Sequence, residues 1–284
     1  MATSLNPYIS CFDEGFDVGK TPDYRMTIQF ALGGFSYVIA EDASQSIVAM
    51  EAYLSDALED ESMTFEALLR ALEMRKLAKK VFRSVTFLIQ SRCNTLIPAP
   101  VFEEKESQTL LGLVHPLPQN PVFLNDPISA CDGVNLYAIP GSLSERVKAY
   151  WKNAEIMHES SVFLISLIKN KRQEDEAYVY VRNRNFDMAV IKDGRLTFFN
   201  NFKFTTKDDF LYFLLFALEQ QGLHGNETTV RFAGMILGSS EIMQLCQRYV
   251  KQTLFQPCEG TLQVSKALKE IPSQYYYIPY QILK

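Results

Sequence analysis

YRMTIQFALGGFSYVIAED (residues 24–42), SIVAMEAYL (46–54) and MTFEALLRALEMRKLAKK (63–80) decide the fold, because their order of elements returns later in the chain. They read strand, turn, strand, strand, helix. Residues 26–32 and 35–40 are rich in aromatic and β-branched side chains. Gly33-Gly34 joins them, and such a pair tolerates the positive φ that a tight hairpin requires. Phe65, Leu68, Leu69, Leu72 and Leu77 fall on one face of a helix predicted over 64–80. From Ala177 the order repeats, with strands at 177–181, 186–191 and 196–202, then the helix of TTKDDFLYFLLFALEQQ (205–221). Asp193-Gly194 is the hairpin signal of this second copy. Two similar halves place a cleft between them, the usual seat of a ligand.

Around the repeats, residues 1–22 read as an irregular arm. The first subdomain is expected over 23–157 and the second over 158–284, with the junction near 153–158. A buried strand is expected at 85–89, and Pro98 and Pro100 confine 95–102 to an edge ribbon. Residues 116–132, rich in Pro, Asn and Asp, read as a surface loop before a strand at 134–139. Ser142 and Glu145 have capping-box spacing for a helix over 143–152, as do Thr206 and Asp209 for the helix that follows them. A helix at 160–169 and a charged loop at 169–176 open the second half. A strand at 230–236 leads to a helix at 241–254, capped by Ser239 or Ser240. The segment 210–218 is apolar on every helical face, which calls for full burial or a partner.

The 284 residues suit two domains of about 100–150 residues each. The net charge is −5 and the longest basic tracts are pairs such as Lys171-Arg172, so no nucleic-acid footprint is expected. Five cysteines without a Cys-x-x-Cys argue against a disulfide framework or a zinc site and fit a reducing cytosol. Residues 1–20 lack the basic and apolar regions of a signal peptide. The run at 210–218 falls short of the roughly 20 residues that span a bilayer. The expected location is cytoplasmic.

NNFKFTTKDDFLYFLLFALEQ (200–220), SVTFLIQSRCNTLIPAPVF (84–102) and MTIQFALGGFSYVI (26–39) resemble an uncharacterised bacterial family of Bacteroides-type organisms, from about Asp23 onward. Its members have the actin-like ATPase fold and stand close to cytoplasmic pilus-assembly and secretion proteins. The resemblance implies an α/β protein of two actin-like (ribonuclease H-like) subdomains, each a mixed sheet with flanking helices. It also implies three nucleotide loops. The first phosphate loop should carry Asp-x-Gly, yet Gln29 and Ala31 stand there, with Gly33 and Gly34 just after. Gln29 lacks the anionic oxygen that Mg²⁺ prefers. In the second phosphate loop Tyr180 and Arg182 replace the Asp and Gly, and no acid follows before Asp187. In the adenosine loop Gly234 and Gly238 are held apart by three residues.

Each candidate carries two readings. Gly33, Gly34 and the following Ser36 form a hairpin turn, or a phosphate cradle. Gly238 and Ser239 cap a helix, or bind an anion at its N-terminus. Arg182 and Arg184 form a solvated tip, or grip phosphate or an acidic partner. Asp208-Asp209 reads as capping rather than a paired-carboxylate site. His115, His158 and His224 show no metal spacing. The aromatic run 275–280 is a core-sealing strand or an exposed recognition surface. The expectation is a non-catalytic scaffold or interaction protein, a pseudo-ATPase with an unidentified protein partner or a homo-oligomeric state. It has no catalytic or metal site and no required cofactor. A nucleotide-binding or weakly ATP-hydrolysing protein with Mg²⁺, and a peptide or small-molecule binding module, are the alternatives.

Overall fold

The computed structural model describes residues 6–169 and 175–284. The first repeat comprises β1 (Ile9–Phe12), β2 (Tyr24–Ala31), β3 (Gly34–Glu41), β4 (Ser46–Leu54) and α1 (Glu61–Met74), followed by β5 (Ser84–Ile89). An insertion follows: β6 (Asn94–Pro98), α2 (Ser107–Gly112), β7 (Pro121–Ile128), β8 (Gly133–Pro140) and α3 (Gly141–Tyr150). The chain then enters β9 (Glu155–His158) and α4 (Glu159–Lys169). The second repeat is β10 (Glu176–Val181), β11 (Asn185–Lys192), β12 (Arg195–Lys203) and α5 (Lys207–Gln220). It closes with β13 (Thr229–Gly234), α6 (Glu241–Cys246), β14 (Gln252–Phe255), β15 (Gln263–Val264) and α7 (Tyr277–Leu283).

Among the described residues the strands form three sheets. The first runs β1-β4-β3-β2-β5-β9, with β15 beside β4, and the second runs β12-β11-β10-β13-β14. The shared order is plain. Three antiparallel strands come first, and two parallel strands extend the first of them in each sheet. The insertion supplies the third sheet, β6-β8-β7.

Both large sheets are covered on two faces, which explains the near-continuous apolar runs of β2 and β10. The outer face of the first sheet packs on α1 and α3 around Phe65, Leu68, Leu143 and Trp151. The outer face of the second packs on α5 and α6 through Phe210, Leu214 and Met243. Between the sheets lie α4 and α7, with Phe163, Leu164, Tyr277 and Ile278 against both Leu88 and Tyr180.

Several expectations shift on inspection. The hairpin loop is Leu32-Gly33, because Ala31 pairs with Gly34; Gly33 alone has positive φ, 83°. A side chain on Gly34 would meet Tyr53 O at 2.8 Å, so close packing fixes that glycine. The arm expected at 1–22 contains β1, which pairs with β4 because Ser10 and Cys11 bond to groups of the sheet and the C-terminal segment. The loop expected at 116–132 holds β7. Its prolines and acids hid a strand whose Asp126 is buried by a hydrogen bond from Tyr137. Ser142 and Glu145 do not cap α3, which begins at Gly141 after an uncapped Pro140. The helix expected over 241–254 ends at Cys246, and β14 takes its last residues.

The expected junction near 153–158 is β9, a strand of the first sheet. The Thr206–Asp209 capping box and the Ser240 cap are present. Tyr276, Tyr277 and Tyr280 are buried, so 275–280 seals the core as a turn and helix. Helix α5 buries Phe210, Leu214, Ala217 and Leu218, while Tyr212 and Phe216 stand exposed, so it is not covered all round. Its neighbour is α6; α4 lies on the other face of the sheet. Residues 170–174 of the expected charged loop, including Lys171-Arg172, lie outside the described residues.

Candidate functional site

Strands β2 and β10 end side by side at the floor of a cleft of about 580 Å³. Gly33, Gly34 and Ser36 line it from the first half, Arg182 and Gly234 from the second. Gly238 and Ser239 are absent from its lining; they lie in the turn before α6. Gly33 is held by structure: its carbonyl accepts from Ser55 N at 2.9 Å and its N–H reaches Thr64 Oγ1 at 3.4 Å. Gly234 has φ 89°, and a Cβ there would lie 2.1 Å from Val181 O. That glycine lets β13 close against the end of β10, where Met235 N donates to Val181 O at 2.8 Å.

The floor is a buried polar network. Gln29 Nε2 donates to Tyr180 OH at 3.0 Å and to Glu159 Oε1, and Ser36 Oγ donates to Gln29 Oε1 at 3.1 Å. Tyr180 OH donates to Glu159 Oε1 at 3.1 Å. Arg182 reaches back from the end of β10: its Nε donates to Glu159 Oε2 and its Nη2 to Asp187 Oδ2, each at 2.7 Å. Ser160 Oγ and Asn201 Nδ2 complete the coordination of Asp187. Glu159 and Asp187 are fully buried and Arg182 is 5% exposed, so this ion trio lies inside the protein.

The electrostatics follow from burial. Burial works against the Arg182 charge, but Asp187 and Glu159 overcome it and hold the guanidinium above its ordinary pKa. Burial would lift the Asp187 carboxyl, yet Arg182, Ser160 and Asn201 hold it below its usual range. Burial, then the Glu159 charge, pushes the Tyr180 phenol well above its ordinary value. Beside this floor His158 is buried with Nδ1 accepting from Ser160 N at 3.1 Å and Nε2 2.8 Å from Ser91 O. Burial draws its pKa down to about 4, so the ring is neutral near pH 7.

Sequence reasoning placed Gln29, Tyr180 and Arg182 at strand ends and missed that Glu159 and Asp187 converge on the arginine. One signal was present. Asp187 sits between Phe186 and Met188 in a strand with buried residues on both faces, and a buried acid requires a cation. Among the described residues no group of three or more His, Cys, Asp or Glu side chains is placed to hold a metal ion, and no helix is long and apolar enough to cross a membrane. All five cysteines are unpaired.

Residues 13–253 match the family described as "Protein of unknown function (DUF3822)". The chain belongs to the DUF3822 family. Among solved structures, this DUF3822 chain is similar to a Bacteroides thetaiotaomicron protein with actin-like ATPase fold and unknown function. The TM-score is 0.77 at 17% identity, covering 94% of this chain and 98% of that one. It is also similar to a chain of the PilM–PilN type IV pilus biogenesis complex, with a TM-score of 0.62 at 11% identity over 91% of this chain and 97% of that chain. No curated protein sequence matches the chain. At these identities the similarities show the fold: the DUF3822 chain is an actin-like α/β protein.

Proposed function

We propose that this protein is a non-hydrolytic actin-fold scaffold that acts through a protein partner. The observation that carries the reading is Arg182, buried between Glu159 and Asp187 at the end of β10, two residues after Tyr180, which stands where the resemblance calls for an acid. Phosphoryl transfer on Mg²⁺ needs a positioned, available carboxylate. Both acids at the cleft floor already have an oxygen bonded to the one Arg182 guanidinium, and the other strand end presents the amide of Gln29. A divalent cation placed here would face a buried positive charge, so this donor set does not fit Mg²⁺. A fold-level analogy supports the partner, since the similar PilM structure is a complex with PilN.

Thermal unfolding with and without millimolar Mg²⁺-ATP tests this. A nucleotide that binds only the native state at 100 times its dissociation constant would add about 2.7 kcal/mol of stability. The expected result is no Mg²⁺-dependent shift and no phosphate release. A saturable shift that requires Mg²⁺, with turnover abolished by a substitution in the cleft, would refute the proposal.

A further inference from the structure

Beside the cleft, and continuous with it through Arg92 and Lys203, runs a second groove of about 710 Å³ between the insertion sheet and the second large sheet. Its two walls are sheet edges. Among the described residues β6 pairs only with β8, and β12 only with β11.

The ladders say which backbone groups point into the groove. Ala138 N donates to Cys93 O and Ala99 N to Asp132 O, so the odd-numbered residues of β6 bond to β8 and Asn94 and Leu96 turn outward. Phe204 N donates to Arg184 O, so the even-numbered residues at this end of β12 bond to β11 and Phe199, Asn201 and Lys203 turn outward. All five outward residues line the groove. Two outward groups are held by side chains: His115 Nε2 lies 2.9 Å from Asn94 O, and Asn200 Oδ1 accepts from Asn201 N at 2.9 Å. A side chain holding a strand-edge group is a contact that an added strand can replace.

The groove has a sign. Arg92 and Lys203 line it and are solvent-exposed, and among the described residues no acidic side chain does. The chain as a whole is acidic, at −5, so this local excess of positive charge selects its occupant.

We infer that the groove binds an extended, acidic peptide segment of a partner protein, added as a strand along the β12 edge. Main-chain hydrogen bonds to Phe199, Asn201 and Lys203 supply the pairing, and carboxylates of the peptide meet Arg92 and Lys203. This deepens the scaffold reading by giving its partner a chemistry and a seat. It stands apart from the nucleotide question, which the Mg²⁺-ATP experiment decides alone.

The test is selection of displayed random peptides of about eight residues, a common strand length, against the full chain. Synthetic copies are then measured by fluorescence anisotropy. Selected peptides are expected to carry Asp or Glu and to lose binding when alternate backbone nitrogens are methylated. They should bind Arg92→Glu and Lys203→Glu roughly tenfold more weakly or worse, because like charges now face each other. Circular dichroism confirms that these surface variants fold. Arg184→Glu, which alters the cleft and not this groove, should bind as the parent does. Amide exchange should slow at 199–203 on binding. Failure to select any binder, binders indifferent to both groove reversals, or binders sensitive to Arg184→Glu would each overturn the inference. So would a concentration-dependent dimer in sedimentation velocity that Arg92→Glu dissolves, because the groove would then hold a second copy of this chain.

Discussion

Replacing Arg182 by methionine tests the centre of the site most directly. Methionine keeps much of the side-chain volume and deletes the only cation that bonds Glu159 and Asp187 among the described residues. Both carboxylates would remain fully buried. Removing one partner of a buried ion pair destabilises by about 3–5 kcal/mol, because the remaining charge is left without compensation. That is a large share of the roughly 5–15 kcal/mol that holds a typical domain folded. Urea unfolding followed by circular dichroism and by Trp151 fluorescence measures it, since this single tryptophan packs in the first core against Phe65 and Phe87. The triple change Glu159→Gln, Arg182→Met, Asp187→Asn removes every charge and should recover most of the loss, as whole-cluster replacement is often neutral. The pH dependence separates this from mere loss of packing. In the parent, Asp187 titrates below its unfolded value, so its contribution is complete above about pH 4 and is lost as the pH falls further. In Arg182→Met the uncompensated carboxylate should titrate above its unfolded value, so the defect should shrink between pH 7 and pH 5. A loss under about 1 kcal/mol, or a triple variant as unstable as the single one, would refute the reasoning.

His158 gives a second pH signature. Its folded pKa of about 4 lies below the ordinary 6.5, so its contribution is complete above pH 6.5 and is lost as the pH falls towards 4. The difference in unfolding free energy between the parent and His158→Gln, from urea titration at each pH, should therefore narrow across that window, by an amount on the order of 3 kcal/mol. Leu214→Ala should cost about 2–5 kcal/mol by denaturant titration, since Leu214 is fully buried between α5 and its sheet, whereas the exposed Tyr212→Ser should change stability by less than about 0.5 kcal/mol. Gly234→Ala should prevent soluble accumulation or sharply lower the melting temperature, because the new methyl would strike Val181 O; a normal melting curve would show that β13 can move aside.

The repeat was legible because period and turn chemistry are local. Gly33 and Asp193-Gly194 mark hairpins, and α5 announces itself through Thr206 and Asp209. What sequence concealed was non-local. β7 is a strand because β8 pairs with it and buries Asp126, while its own Pro121, Asn125 and Pro127 argue for a loop. The helix after Ser240 stops at Cys246 because β14 is needed beside β13, a pairing set at long range. The cleft residues were found as strand ends. Glu159 is 23 residues from Arg182, and nothing local says that the first turn of α4 closes on the end of β10. Glu159 falls just before the helix expected at 160–169, and an acid at a helix start is commonly there only because the dipole favours it.

The placement of charge also says how the two halves are joined. Glu159, Arg182 and Asp187 all belong to α4 and the second sheet, so the ion trio is complete without the first half. At the floor the first half enters through Gln29, which bonds Tyr180 and Glu159 through one neutral amide. The neutral bond to Tyr180 is worth about 0.5–1.5 kcal/mol net and the bond to the Glu159 carboxylate about 1.5–3 kcal/mol, while the exposed Arg184–Asp56 contact across the rim, at 3.5 Å, adds about 0–1 kcal/mol. These are small beside the apolar layer between the sheets, where α7 touches both β2 and β13 and buries Tyr277 and Ile278 completely. Apolar burial therefore supplies the adhesion between the halves, and the polar floor supplies their register. With Arg182 held by its own half, a change in the spacing of the two halves would separate none of the ion pairs of this buried trio.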